Sequence, residues 1–207
     1  FKAALSEIIR GASIAQSMIN DVMYSFYNND DRKIDSANAD ESMINELQKA
    51  ITKYVVDISK RNISDSQSVL VPAMINIINN IERIGDLSED LLSLAKSKME
   101  KGLKFSGEAI DDLKNMQGII VQMFETTLKV LKNNDIDAAL VTAGLENKVD
   151  ELCKNLQDAH IERLEGGRCV IESGVIYLDV ISYLERIADH IYKVCTLSAE
   201  SLKDMPR

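Results

Sequence analysis

The stretch Val180-Ile181-Ser182-Tyr183-Leu184-Glu185-Arg186-Ile187-Ala188-Asp189 repeats Ile77-Ile78-Asn79-Asn80-Ile81-Glu82-Arg83-Ile84-Gly85-Asp86, 103 residues later. Each copy sets two carboxylates at i and i+4 beside an Arg, inside an apolar pattern of helical period. Helical residues four apart are neighbours, so two like charges there oppose each other by about 0.2–0.5 kcal/mol. The same small cost at two matched places points to a cation that offsets it.

Other landmarks repeat at nearly the same distance. Asn28-Asn29-Asp30 returns as Asn133-Asn134-Asp135, and Glu41-Ser42-Met43-Ile44-Asn45-Glu46-Leu47 resembles Glu146-Asn147-Lys148-Val149-Asp150-Glu151-Leu152, both at an offset of 105. A period this long indicates a doubled domain, not a solenoid. Between the landmarks, apolar residues recur at i, i+3, i+4 and i+7, as in amphipathic helices. The spacing predicts six: about 3–27, 35–61, 64–101, 106–134, 136–164 and 173–203. Leu5, Ile8, Ile9, Ala12, Ala15, Ile19, Val22, Met23 and Phe26 form the apolar face of the first. Met43, Ile44, Leu47, Ile51, Tyr54, Val55 and Ile58 form that of the second. Ser64 and Ser106 have the chemistry of N-caps, and Pro72 lies near the start of the third helix, where Pro is best tolerated. Gly166-Gly167 closes the fifth. Short connections make successive helices antiparallel neighbours. The expected fold is all-α: two tandem antiparallel three-helix bundles related by internal duplication, residues 1–103 and 104–207.

Composition agrees. The chain has 207 residues, nine Gly, two Pro and no Trp, a profile that favours helix over sheet. Its net charge is −9 and its Lys and Arg do not cluster, which excludes nucleic acid as a partner and suits cations or a basic protein surface. Cys153, Cys169 and Cys195 show no CxxC spacing and fit a reducing compartment. No apolar run reaches the ~18 residues of a membrane span; Val69 to Ile78 is broken by Pro72 and Asn76. No signal peptide is visible. A start at Phe1 suggests a piece of something longer, which leaves room for membrane segments upstream.

At 100° per residue, with Glu82 at zero, Met74, Ile77, Ile81, Ile84, Ser88, Leu92 and Ala95 fall between about 200° and 280°. That is the core face, extended by Leu70 and Leu91. Glu82 and Asp86, at about 0° and 40°, lie on its margin. The last helix maps the same way: Tyr177, Val180, Leu184, Ile187, Ile191 and Cys195 face inward, and Glu185 and Asp189 lie at the edge. Gly85 and Ala188 are small, leaving room for a neighbouring helix or an ion. The preceding helix of each half adds Glu41 and Asn45, or Glu146 and Asp150. Four carboxylates from two adjacent helices make an all-oxygen donor set, suited to Mg²⁺, Ca²⁺, Mn²⁺ or iron over zinc or copper. Asn45 is a neutral amide, so the second half is expected to bind better. Arg83 and Arg186 offer the alternative of a salt-bridged edge without metal. Asp179 is placed to orient Arg186; His190 faces solvent or another helix; His160 is structural; the methionines fill core.

The sequence Leu184-Glu185-Arg186-Ile187-Ala188-Asp189-His190, with its partner Ile81-Glu82-Arg83-Ile84-Gly85-Asp86, resembles the signature of the PhoU family of phosphate-transport regulators. The resemblance covers nearly the whole chain and implies a pair of three-helix bundles. His160-Ile161-Glu162-Arg163-Leu164-Glu165-Gly166-Gly167-Arg168-Cys169, with Gly174-Val175-Ile176-Tyr177-Leu178-Asp179, is similar to the PhoU-like cytoplasmic tail of sodium/phosphate cotransporter-type proteins. The family implies surface metal sites, some multinuclear, at Glu41, Asn45, Glu82 and Asp86, and at Glu146, Asp150, Glu185 and Asp189. It also implies regulation of phosphate uptake without catalysis, by a domain that works at the cytoplasmic face of the membrane, pairs with a transporter's membrane portion in cis or in trans, and forms dimers. The expected function is that of a cotransporter's regulatory tail; the alternative is a free-standing regulator of a transporter and its signalling kinase. A ferritin-like metal-dependent oxidase requires Glu-x-x-His pairs within the bundle core, and neither His160 nor His190 follows a Glu at that spacing.

Overall fold

The repeated Asn-Asn-Asp turns do the same work in both halves of the computed structural model. It describes residues 1–166, 170–203 and 205; Gly167, Arg168 and Cys169 of the motif quoted above, with Asp204, Pro206 and Arg207, lie outside the described residues. Helix α1 (Lys2–Asn28) ends on Asn29 at φ 50°, and α5 (Gly107–Asn133) ends on Asn134 at φ 55°. Asn is one of the few side chains that tolerate this left-handed conformation at a helix end. The Asp that follows then starts the next element. Asp30 accepts a hydrogen bond from the Arg32 N–H and opens a 3₁₀ turn (Asp31–Lys33) leading into α2 (Ile34–Ser59). Asp135 accepts from the Ala138 N–H and caps α6 (Ile136–Glu165).

The third expected helix is divided. Ser64 and Gln67 form a reciprocal capping box at α3 (Asp65–Ser68), the chain breaks at Val69, and α4 runs Leu70–Glu100. Pro72 explains the break: it has no N–H to donate to the Ser68 carbonyl four residues back, so a helix continuous through this point loses a bond. The last helix, α7 (Ile171–Ser201), starts and ends two residues earlier than its periodicity suggests. Ser106 caps α5 through the Ala109 N–H, as expected.

Helices α1, α2 and α4 pack on one another, and so do α5, α6 and α7. The two sets join through α4 against α7, the most extensive helix pair in the molecule, supported by α1 against α5. The main apolar core therefore runs unbroken through both halves, from Ile8 and Met18 through Ile81 to Val180 and Ile191; Val130, Ala138 and Cys195 form a small satellite. The core faces read from periodicity hold on α4 and α7, where every residue assigned inward is buried. On α2, Met43 and Tyr54 depart from expectation and stand 39 % and 47 % exposed, because the stripe that α2 buries is the narrower one of Ile44, Leu47, Ile51 and Val55. No strand occurs among the described residues, and no helix is long and apolar enough to cross a membrane.

Candidate metal-binding edges

Gly85 settles what the small residues of the repeat are for. A Cβ there lies 3.4 Å from Ile44 Cδ1 of α2, so the space is filled by the neighbouring helix. Ala188, 1 % exposed, holds the equivalent place on α7. Close approach of the two helices is what brings their acidic rows together.

In the second half, Glu146 and Asp150 of α6 share a field with Glu185 and Asp189 of α7. Burial first, then Asp150, Asp189 and Glu185, hold the Glu146 carboxyl above the usual range. Glu185 is raised in the same way, by burial and then by Asp150 and Asp189, with Arg186 and Lys193 opposing. Cys153 of α6, a buried free thiol, senses the same charges: burial, Glu185 and Asp150 push it up to about 11. It is protonated at neutral pH. In the first half Glu82 is raised by burial, then by Asp86, and slightly by Glu41. The expected residues of each half are thus neighbours.

Their partners differ from one half to the other. Arg83 Nη1 donates to Asp86 Oδ2 at 3.0 Å and Nε lies 3.9 Å from Glu82 Oε2, while the Asn45 amide donates to Glu41. The first edge is largely satisfied from within. In the second, Arg186 turns away and lies over the Tyr183 ring at 5.9 Å; no ion pair joins it to Asp179 among the described residues, contrary to expectation. Lys193 instead pairs with Asp189 at 2.6 Å, an i,i+4 spacing readable in the sequence but not read there. Exposed pairs of this kind contribute only ~0–1 kcal/mol, so Lys193 is held loosely at Asp189. His190 faces α4, with Nδ1 2.8 Å from Asn80 Oδ1, and takes no part in the edge.

A multivalent cation fits the chemistry of these donors. They are all oxygen, all but the exposed Asp150 are partly buried, and in the second half only Lys193, paired with Asp189, and Arg186 offset their mutual repulsion. They do not form a closed cage: among the described residues no three His, Cys, Asp or Glu side chains converge to hold a single ion. Such an open edge suits a cation that keeps some of its water, as Mg²⁺ does, or ions that bridge from one carboxylate to the next.

The raised carboxyls have a measurable consequence. The folded chain keeps protons on Glu146 and Glu185 above the ordinary 4.5 at which the unfolded chain releases them. Each group therefore destabilises the fold fully at neutral pH and ceases to do so as pH falls through that window. Buried neutral histidines act in the opposite direction, so the effect is isolated by a difference. In chelator-treated protein, Glu146→Gln/Glu185→Gln is expected to melt above wild type at pH 7.5, with the gap closing toward pH 4.5. Equal melting temperatures at pH 7.5 contradict the field described here.

The described residues form two joined three-helix bundles, each with a paired acidic edge. The profile of the PhoU domain matches the chain twice, at residues 8–95 and 113–197. The chain belongs to the PhoU family. Among its relatives is the "Phosphate-specific transport system accessory protein PhoU homolog 1" of Thermotoga maritima, 25 % identical over 92 % of this chain and 82 % of that one. The corresponding Clostridium acetobutylicum homolog is 24 % identical over 92 % and 86 %. The crystal structure of PhoU from Pseudomonas aeruginosa superposes with a TM-score of 0.88 at 20 % identity, over 98 % of this chain and 96 % of that one. The Thermotoga and Clostridium relatives are named as accessory proteins, and the family is one of regulators, not enzymes.

Proposed function

We propose that this chain is a free-standing accessory regulator of a phosphate transporter, which gathers multivalent cations along its acidic edges, chiefly the second. The observation that carries the reading is the membership of the PhoU family, with the quartet Glu146, Asp150, Glu185 and Asp189 left short of cationic partners. Relatives named as accessory proteins align over most of their own length, which favours the free-standing reading over a cotransporter's tail. Mg²⁺, Ca²⁺, Mn²⁺ or iron would be held by these four residues, and more weakly by Glu41, Glu82 and Asp86. Such a cation supplies positive charge at the edge; the carboxylates position it, and the edge then presents a neutralised surface to the transporter at the cytoplasmic face of the membrane. The halves, 1–103 and 104–207, act as two unequal presenting units on one core.

Phosphate uptake by cells tests this. Loss of the chain is expected to change uptake several-fold, wild type to restore it, and Glu185→Ala/Asp189→Ala to restore it only in part. Uptake that is the same with and without the chain overturns the reading.

A further inference from the structure

The motif around His160 converges on a place the acidic edges do not use. The C-terminal end of α6, the start of α7 and the start of α5 enclose a cavity of about 160 Å³ lined by Lys104, Ser106, His160, Arg163, Ser173 and Tyr177. That is below the ~300 Å³ at which drug-sized ligands are enclosed, so the occupant is small. The lining brings together two cations, Lys104 and Arg163, with the hydroxyls of Ser106, Ser173 and Tyr177. His160 is 2 % exposed, and its Nε2 has no hydrogen-bond partner among the described residues. Arg163 Nη2 is likewise buried without a partner. Leaving a buried guanidinium N–H unsatisfied costs about 1–3 kcal/mol, and an acceptor in the cavity would relieve Arg163 Nη2, as it would His160 Nε2 in the tautomer that carries its proton there.

The backbone adds to the pull. The first-turn N–H groups of a helix have no intrahelical partners, and α7 has no side-chain cap among the described residues. Its dipole favours an anion at that end. The Ser106 oxygen accepts from the Ala109 N–H, which leaves its hydroxyl hydrogen free to donate. Two carboxylates oppose, and both are already engaged. Asp112 accepts from the Tyr177 hydroxyl at 3.0 Å. Glu108, 72 % exposed, lies 3.5 Å from Arg163 Nη1 and is free to swing into water at small cost.

The geometry points to a binding site for a small tetrahedral oxyanion, held by Arg163 and Lys104, the Ser106 and Ser173 hydroxyls and the open end of α7. The choice of inorganic phosphate among such ions rests on the regulator reading; the site itself does not. An acidic edge needs a bridging cation to hold phosphate, whereas this cavity needs none, and that difference separates the two.

The test is calorimetric titration of inorganic phosphate into chelator-treated protein at constant ionic strength, with sodium sulfate and sodium chloride as parallel titrants. Saturable phosphate binding is expected, at least tenfold weaker in Arg163→Gln and in Lys104→Gln, and unchanged in Glu185→Gln/Asp189→Asn. Lys104 is exposed, so its variant keeps the fold even where Arg163→Gln does not. Sulfate binding that is lost in the same variants supports an oxyanion site as phosphate binding does. No saturable binding by the chelated wild type, or binding indifferent to both Arg163→Gln and Lys104→Gln, overturns the proposal. Binding that needs added metal and is lost in Glu185→Gln/Asp189→Asn also overturns it, while leaving the regulator reading intact.

Discussion

Lys98→Ala is expected to lower the unfolding free energy by about 3 kcal/mol. Lys98 is 3 % exposed. Its Nζ donates at 2.6 Å to both the Phe26 carbonyl and Asn29 Oδ1, and lies 4.9 Å from the Phe26 ring centroid and 5.6 Å from that of Phe105. The ammonium therefore satisfies the last turn of α1 where the chain reverses toward α2. Burial lowers its pKa, and the two acceptors and two aromatic faces are what make the site tolerable. Alanine removes the donor, leaves a buried carbonyl unsatisfied and opens a cavity. Lys98→Met keeps the aliphatic stem and loses only the donor, so about 1–2 kcal/mol is expected. Urea unfolding of both variants checks the pair; a Lys98→Met protein as stable as wild type would show that the hydrogen bonds contribute nothing beyond packing.

Gly174→Val is expected to cost a comparable ~3 kcal/mol, for the opposite reason. A Cβ at Gly174 lies 2.6 Å from His160 Nε2 and 3.0 Å from Cε1. The ring has nowhere to go: it is buried, and its centroid is 5.1 Å from that of Tyr177, whose hydroxyl is tied to Asp112. The α6–α7 contact is thus built on a glycine in the first turn of α7. Gly144, midway along α6, meets nothing within 4 Å of a built Cβ. Gly144→Ala is therefore expected to stabilise by about 0.5–1 kcal/mol through helix propensity alone. Thermal melts that rank Gly174→Val at or above wild type contradict the packing described.

Much of this was legible in the sequence because the repeat is written in residues whose physics is local. The Asn-Asn-Asp turns carry their own conformation, and 3.6-residue periodicity placed Ile81 and Leu184 in the core and Glu82 and Glu185 on its margin. Tyr54 shows the limit: periodicity marks the stripe able to be buried, and the width actually covered depends on neighbouring helices. The break at Val69 follows from Pro72, yet its severity depends on whether tertiary contacts hold the helix through the missing bond. Arg186 was out of reach for a different reason. Its matched partner Arg83 binds Asp86, but Tyr183, where the first copy has Asn80, gives Arg186 an aromatic face instead. The cavity at His160 was invisible because its residues come from three helices, and His160 alone reads as a structural histidine.

The inequality of the two edges is the central claim, and metal content tests it most directly. Protein purified without added metal or chelator is to be compared by elemental analysis with Glu185→Ala/Asp189→Ala and with Glu82→Ala/Asp86→Ala. The geometry predicts bound multivalent metal in wild type, most of it lost with the second-half pair and little with the first, where Arg83 and Asn45 already occupy the acids. Equal and negligible metal in all three proteins, or a larger loss from the first-half pair, would contradict it.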